Sequence, residues 1–237
     1  DGGQARRSPW RGCLRPVGGV PAPRRRSERL LGQEKQRWSR TTRSVSTVTY
    51  RICYQVTRAL LWILFTALGG IRVEGRRHLH RRGAAILAAN HLSNADPPAI
   101  AVASARGPYF MAKEELFKIR FLGPLIRLLH AFPVKRGSGD RAALRRAEQL
   151  LSQGELVVIF PEGRESETGE LIAFQPGAAL LSLRAGVPVI PICLKGTDGV
   201  MPYGTVIPRR SPRPTVVRIG PPVCLDDLRD HPDRRQA

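Results

Sequence analysis

From residue 72 onward the chain alternates short, continuously apolar runs with longer segments in which apolar positions recur every three or four residues. Runs at 84–89, 108–112, 131–135, 156–160, 187–194 and 215–219 read as strands, several of them apolar enough to be buried on both faces. Segments at 97–105, 123–130, 140–152 and 175–185 read as helices. The clearest is 140–152: Asp140 is a good N-cap, and Leu144, Ala147, Leu150 and Leu151 fall on one face. It is expected to stop near Gly154. No internal repeat is visible. Strands alternating with helices predict an α/β fold, with a mixed, mostly parallel sheet flanked by helices.

Upstream, residues 46–71 read as one helix. Its apolar stretch, Ala59 to Ile71, is short of the roughly 20 residues a membrane span needs. Arg51, Gln55 and Arg58 interrupt it upstream, while Trp62 and Phe65 suit an interfacial position. Two readings stand evenly on these residues: a helix lying in the membrane interface, and a helix packed on a soluble core. Residues 1–45 lack apolar periodicity and are rich in Arg, Pro and Gly, so they are expected to be a disordered basic extension. The expected organisation is therefore 1–45 extension, 46–71 anchoring helix, 72–225 main domain and 226–237 tail.

Charge adds a class of partner. The 237-residue chain carries a formal net charge of +20. Residues 1–45 hold 12 Lys+Arg against 3 Asp+Glu, so almost half of the excess lies in the first fifth of the chain. A basic surface attracts phosphate, in anionic lipid or in nucleic acid. No RNA-recognition signature, zinc-finger spacing or helix-turn-helix pattern accompanies it. Cys13, Cys53, Cys193 and Cys224 lie far apart with no metal-binding spacing, and are expected to be reduced in a cytosolic setting. No cleavable signal peptide is evident, because the start lacks an apolar core segment.

Candidate chemistry gathers after the strands. His91 follows the run at 84–89, and Asp96 comes five residues later. On a continuous helix those side chains would lie about 140° apart. Pro97-Pro98 instead favour a helix start at this point, which makes Asp96 an N-cap and leaves His91 in the preceding loop. The loop can fold the imidazole onto the carboxylate, giving a general base with its orienting acid. A capping aspartate beside an incidental histidine is the plainer alternative. Lys113 follows the strand at 108–112, Arg136 follows 131–135, and Glu162-Gly163 follow 156–160. Ligands in α/β sheets bind beyond the carboxyl ends of strands. The cations suit a phosphate, and Gly163 allows close backbone approach.

These residues resemble the bacterial 1-acylglycerol-3-phosphate acyltransferases, the PlsC-type glycerolipid acyltransferases. His91 to Asp96 matches the family's H-x4-D motif. Met111-Ala112-Lys113 through Arg136, with Leu116-Phe117 and Gly123-Pro124 between, resembles the second block. Phe160-Pro161-Glu162-Gly163 matches the start of the third, and Val187 to Ile192, reaching Gly196-Thr197, the fourth. The resemblance covers about residues 50–225. It implies transfer of a fatty acyl group from a carrier-protein or coenzyme A thioester to the hydroxyl of 1-acylglycerol 3-phosphate, giving phosphatidic acid. It implies His91 as base, Asp96 as its orienter, and Lys113, Arg136 and Arg164 as holders of the acceptor phosphate. Glu162 and Gly163 would shape the acceptor site. No metal and no cofactor are expected beyond the thioester co-substrate. The expected place of work is the cytoplasmic face of the cytoplasmic membrane, peripheral or monotopic, on an anionic surface.

One departure stands out. The family usually reads F-P-E-G-T-R-S, whereas here Arg164 comes one position early and Glu165 takes the arginine's usual place. That keeps other acceptors open: glycerol 3-phosphate, another lysophospholipid or an aminolipid. A non-catalytic lipid-binding or nucleic-acid-binding protein is the more distant alternative.

Overall fold

The computed structural model describes residues 47–79, 82–120, 122–134 and 141–225. The expected extension at 1–45, the tail beyond 225, the N-cap Asp140 and the candidate cation Arg136 lie outside the described residues. Among the described residues, the α-helices and strands run in the order α1 (Thr47–Ala67), β1 (Ile71–Glu74), β2 (Ala85–Ala89), α2 (Asp96–Ala103), β3 (Tyr109–Lys113), α3 (Leu122–Leu128), β4 (Ala131–Val134), α4 (Arg141–Ser152), β5 (Leu156–Ile159), α5 (Gly177–Ala185), β6 (Val189–Lys195), α6 (Thr197–Val200) and β7 (Thr215–Ile219).

The seven strands form one sheet in the order β1-β7-β6-β2-β5-β3-β4. All neighbours are parallel except β6 and β7. The sheet is therefore mixed and mostly parallel, as the alternation of elements predicted.

The central strand β2 shows why the fold forms. Ala85, Leu87 and Ala89 face one layer, and Ile86 the other, following the two-residue period of a strand. The first layer packs them against α1 and α2, through Tyr54, Phe65, Ile100 and Val102. The second packs Ile86, Val157 and Phe132 against Ala147, Leu150 and Leu151 of α4 and Leu181 of α5. A strand with both faces covered must be apolar throughout, which is why 84–89 and 156–160 read so clearly. Burying each large side chain of this kind is worth about 1.5–3 kcal/mol.

Besides Cys224, which is disulfide-bonded rather than reduced, two expectations need correction. The first helix does not reach residue 71: α1 ends at Ala67. Gly69, at φ 136, takes a backbone conformation open to few side chains and lies against the Ser211 carbonyl. The chain then turns into β1, an edge strand that alternates Ile-Arg-Val-Glu and pairs with β7. The second correction concerns Asp96. It is the first residue of α2, with Ala95 in the cap position and no side-chain capping bond. Pro98 has no N–H to donate to it and the Ala99 N–H donates to the Ala95 carbonyl, so the Asp96 carboxylate turns back toward the Leu92 and Ser93 N–H groups.

Candidate functional site

Because β2, β3, β5 and β6 run parallel, their carboxyl ends share one edge of the sheet. His91 emerges there from β2, and Glu162 from β5. Asn90 makes the junction firm: its amide donates to the Leu194 carbonyl at 3.0 Å and accepts from the Leu194 N–H at 2.7 Å. One side chain thus continues the β2–β6 ladder one residue beyond Ala89↔Ile192. Ser93 braces the same loop, donating to the Thr197 carbonyl at 3.1 Å and accepting from the Ala95 N–H at 2.9 Å.

His91 is held on nearly every side. Its Nδ1 lies 2.8 Å from Asp96 Oδ2. The same oxygen accepts the backbone N–H groups of Leu92 at 2.6 Å and Ser93 at 2.9 Å. A carboxylate that accepts all three bonds places the imidazole proton on Nδ1 and leaves the Nε2 lone pair free. The His91 backbone N–H donates to Glu162 Oε1 at 2.9 Å, and its carbonyl accepts from the Ser166 N–H at 2.7 Å. Phe160 stacks on the ring at 4.1 Å between centroids, 20° from parallel. Nε2 is the remaining polar atom, and the carboxylate facing it is Glu165, with Oε1 at 4.0 Å. That is beyond hydrogen-bond length.

Asp96 is fully buried, and its Oδ1 has no hydrogen-bond partner among the described residues. Its charge is thus directed to the ring and the two loop amides. This suits a carboxylate that must stabilise an imidazolium as it forms.

Glu162 is buried and its carboxylate is fully engaged. Oε1 takes the His91 N–H, and Oε2 takes the Ile172 N–H at 3.1 Å. It therefore clamps the His91 loop to the loop at 171–175, whose Gln175 N–H also reaches the Pro161 carbonyl at 2.7 Å. Gly163 makes the turn between them, with φ 72 and its N–H on the Phe160 carbonyl at 3.0 Å. A Cβ there would meet only ordinary contact, so the backbone conformation is what calls for glycine.

Two of the candidate cations lie among the described residues, and both are exposed. Arg164 is exposed and lies 4.0 Å from Glu167. Lys113 is exposed at the end of β3. The structure thus brings His91, Asp96, Glu162 and Gly163 together, and leaves Lys113 and Arg164 at the surface. Sequence reasoning missed Asn90, Ser93, Phe160 and Ser166 as supports of His91. Asn90, adjoining His91 at a strand end, was the available signal. Among the described residues, no group of His, Cys, Asp and Glu is arranged to hold a metal ion.

A protein-family model described as acyltransferase matches residues 70–195. The 1-acyl-sn-glycerol-3-phosphate acyltransferase of Bacillus subtilis is 28% identical over 150 residues, covering 62% of this chain and 71% of that protein. Its counterpart from Limnanthes douglasii is 31% identical over 160 residues, 66% of this chain. The chain spans 56% of the length of that plant relative. Among solved structures, the crystal structure of the 1-acyl-sn-glycerophosphate (LPA) acyltransferase PlsC from Thermotoga maritima superposes with a TM-score of 0.64 at 25% identity. The match covers 87% of this chain and 82% of that one.

Proposed function

Since the chain belongs to the acyltransferase family, we propose that it moves a fatty acyl group from an acyl thioester to the free hydroxyl of 1-acylglycerol 3-phosphate, giving phosphatidic acid for phospholipid synthesis. One observation carries this reading: every polar atom of His91 is hydrogen-bonded except Nε2, which lies at the carboxyl edge of the sheet, 4.0 Å from Glu165 Oε1. Nε2 takes the proton of the acceptor hydroxyl as that oxygen attacks the thioester carbonyl. The tetrahedral intermediate then expels the thiolate, which recovers the proton from the imidazolium. Asp96 holds the ring and stabilises its charged form. General-base catalysis of this kind contributes about 10²–10⁴-fold. The donor is a thioester of acyl carrier protein or of coenzyme A.

In this reading Lys113 and Arg164, with Arg136, supply positive charge for the acceptor phosphate. The acceptor and product are lipids, so the site works at a membrane, on its cytoplasmic face. No described helix is long and apolar enough to cross a bilayer. The outer face of α1 exposes Ile52, Val56, Leu60, Trp62 and Ile63, which suits contact with an interface.

Glu165 favours a second acceptor. A carboxylate 4.0 Å from Nε2 repels a phosphate monoester and attracts a headgroup with a cation or an extra hydroxyl, such as an aminolipid or another lysophospholipid. The test is one labelled acyl thioester with a panel of acceptors: 1-acylglycerol 3-phosphate, glycerol 3-phosphate, zwitterionic lysophospholipids and lyso-aminolipids. Fastest turnover of 1-acylglycerol 3-phosphate supports the first reading. A preference for a headgroup with a hydrogen-bond donor or cation, reversed by Glu165→Arg, supports the second. No transfer to any acceptor rejects both.

A further inference from the structure

We propose that the loop at 203–210, with the loop tip at 171–174, is a second lipid-contacting surface that seats the mouth of the His91 site against an anionic bilayer. The inference rests on the membrane reading above and adds an orientation to it. Ile207 is 78% exposed and Val206 65%, while Leu171 and Phe174 are 68% and 63% exposed. Exposing side chains this apolar to water raises the free energy, and burying them at the headgroup–acyl boundary lowers it.

Both loops are attached to the residues around His91. The Thr205 carbonyl accepts from the Asn94 amide at 3.1 Å, within the His91–Asp96 loop. The Tyr203 hydroxyl donates to Glu167 at 3.1 Å, two residues beyond Glu165. Ile172 hangs from Glu162, the clamp on the His91 backbone. Just past the 203–210 loop, the Ser211 N–H donates to the carbonyl of Leu68, in the turn that follows α1, at 2.7 Å. The turn after α1 and the loop at 203–210 are therefore neighbours in the fold, and that loop is bonded to the His91–Asp96 loop.

Charge identifies the occupant. Arg209, Arg210 and Arg213 are exposed just past the tip, and residues 199–225 contain no Asp or Glu. The 203–210 tip, followed by arginines in a stretch without acidic residues, complements an anionic lipid surface, while Glu167 and Glu170 lie on the neighbouring loop. Pro202 and Pro208 bracket the tip and limit its freedom before contact, so little further ordering is needed on docking.

The test compares Val206→Asp/Ile207→Asp with the unaltered chain on two forms of one acceptor: a short-chain, water-soluble form and a long-chain form embedded in phosphatidylcholine vesicles with or without phosphatidylglycerol. Far-ultraviolet circular dichroism and thermal melting check that the variant is folded. Turnover of the embedded acceptor is expected to fall roughly tenfold or more, with the soluble acceptor turned over within about twofold of the unaltered rate. Arg209→Glu/Arg210→Glu is expected to lower binding to vesicles with phosphatidylglycerol and spare binding to pure phosphatidylcholine. Unchanged turnover of the embedded acceptor overturns the proposal. Equal loss on both acceptors also overturns it, since the loop would then act on the site itself. If the unaltered chain turns over neither acceptor, the acyl-transfer reading fails. If it turns over only the soluble one, the membrane reading fails.

Discussion

At the scale of single residues, the site is an imidazole immobilised so that one nitrogen is left for chemistry. Glu162 does this at one remove, through the His91 backbone, and so acts as a positioning residue. Glu162→Gln keeps the shape but places an amide N–H against one of two backbone N–H donors. It should lower kcat by about tenfold or more with little change in acceptor KM, and cost roughly 1–3 kcal/mol of stability in denaturant unfolding. A change in KM alone would mean that Glu162 contacts the acceptor instead. His130 shows a different use of a histidine. It takes φ 63 and packs between Tyr54 and Tyr109 at 5.2 and 4.8 Å, with Nδ1–H donating to the Gly107 carbonyl at 2.7 Å. Burial pushes its imidazole below the ordinary value of 6.5, against the smaller upward pull of the Gly107 carbonyl. The unfolded chain then binds more protons than the folded chain below about pH 6.5. Its stabilising contribution is complete above that pH and is lost as pH falls. His130→Asn tolerates the same backbone conformation and removes the titration. Melting temperatures measured from pH 7.5 to 5 should fall less steeply for the variant; equal slopes would contradict this.

At the scale of elements, the parts legible in the sequence are those whose patterning depends on two covered faces. Strand β2 is apolar at every position because both layers press on it, and α4 shows a clean stripe because one face meets β2 and β5. Leu150, fully buried on that stripe, should cost about 2–5 kcal/mol when changed to Ala, as read by denaturant unfolding. Strand β1 escaped notice because its four residues adjoin a longer apolar helix, and because the glycines between them could equally close a helix or open a turn. The pairing of His91 with Asp96 was legible because local turn chemistry decides it. The approach of Glu165 to His91 was not. It depends on β5 lying next to β2 and on the Ser166–His91 backbone bond, contacts set by strand order rather than by any local pattern. Glu162 was legible as a candidate at a strand end, but its bonds to the His91 and Ile172 N–H groups were not, for the same reason.

At the scale of the whole molecule, a mostly parallel sheet collects the ends of strands distant in sequence on one edge, while α1 and the loop tips carry apolar surface around it. In the proposed membrane reading, the net charge of +20 draws this assembly to an anionic surface. Binding to vesicles with phosphatidylglycerol should therefore weaken as salt rises and the screening length falls from about 10 Å at 0.1 M toward 3 Å at 1 M, leaving a residual apolar component. Binding abolished by salt would mean that the apolar surfaces take no part. The central claim is that this assembly transfers acyl groups through His91. It is tested most directly by incubating purified protein with labelled acyl thioester and a lysophospholipid acceptor, comparing the unaltered chain with His91→Ala at matched folding. The account predicts a labelled diacyl product from the unaltered chain and a rate at least about 10²-fold lower from the variant. Product formation by His91→Ala at a near-normal rate would contradict it.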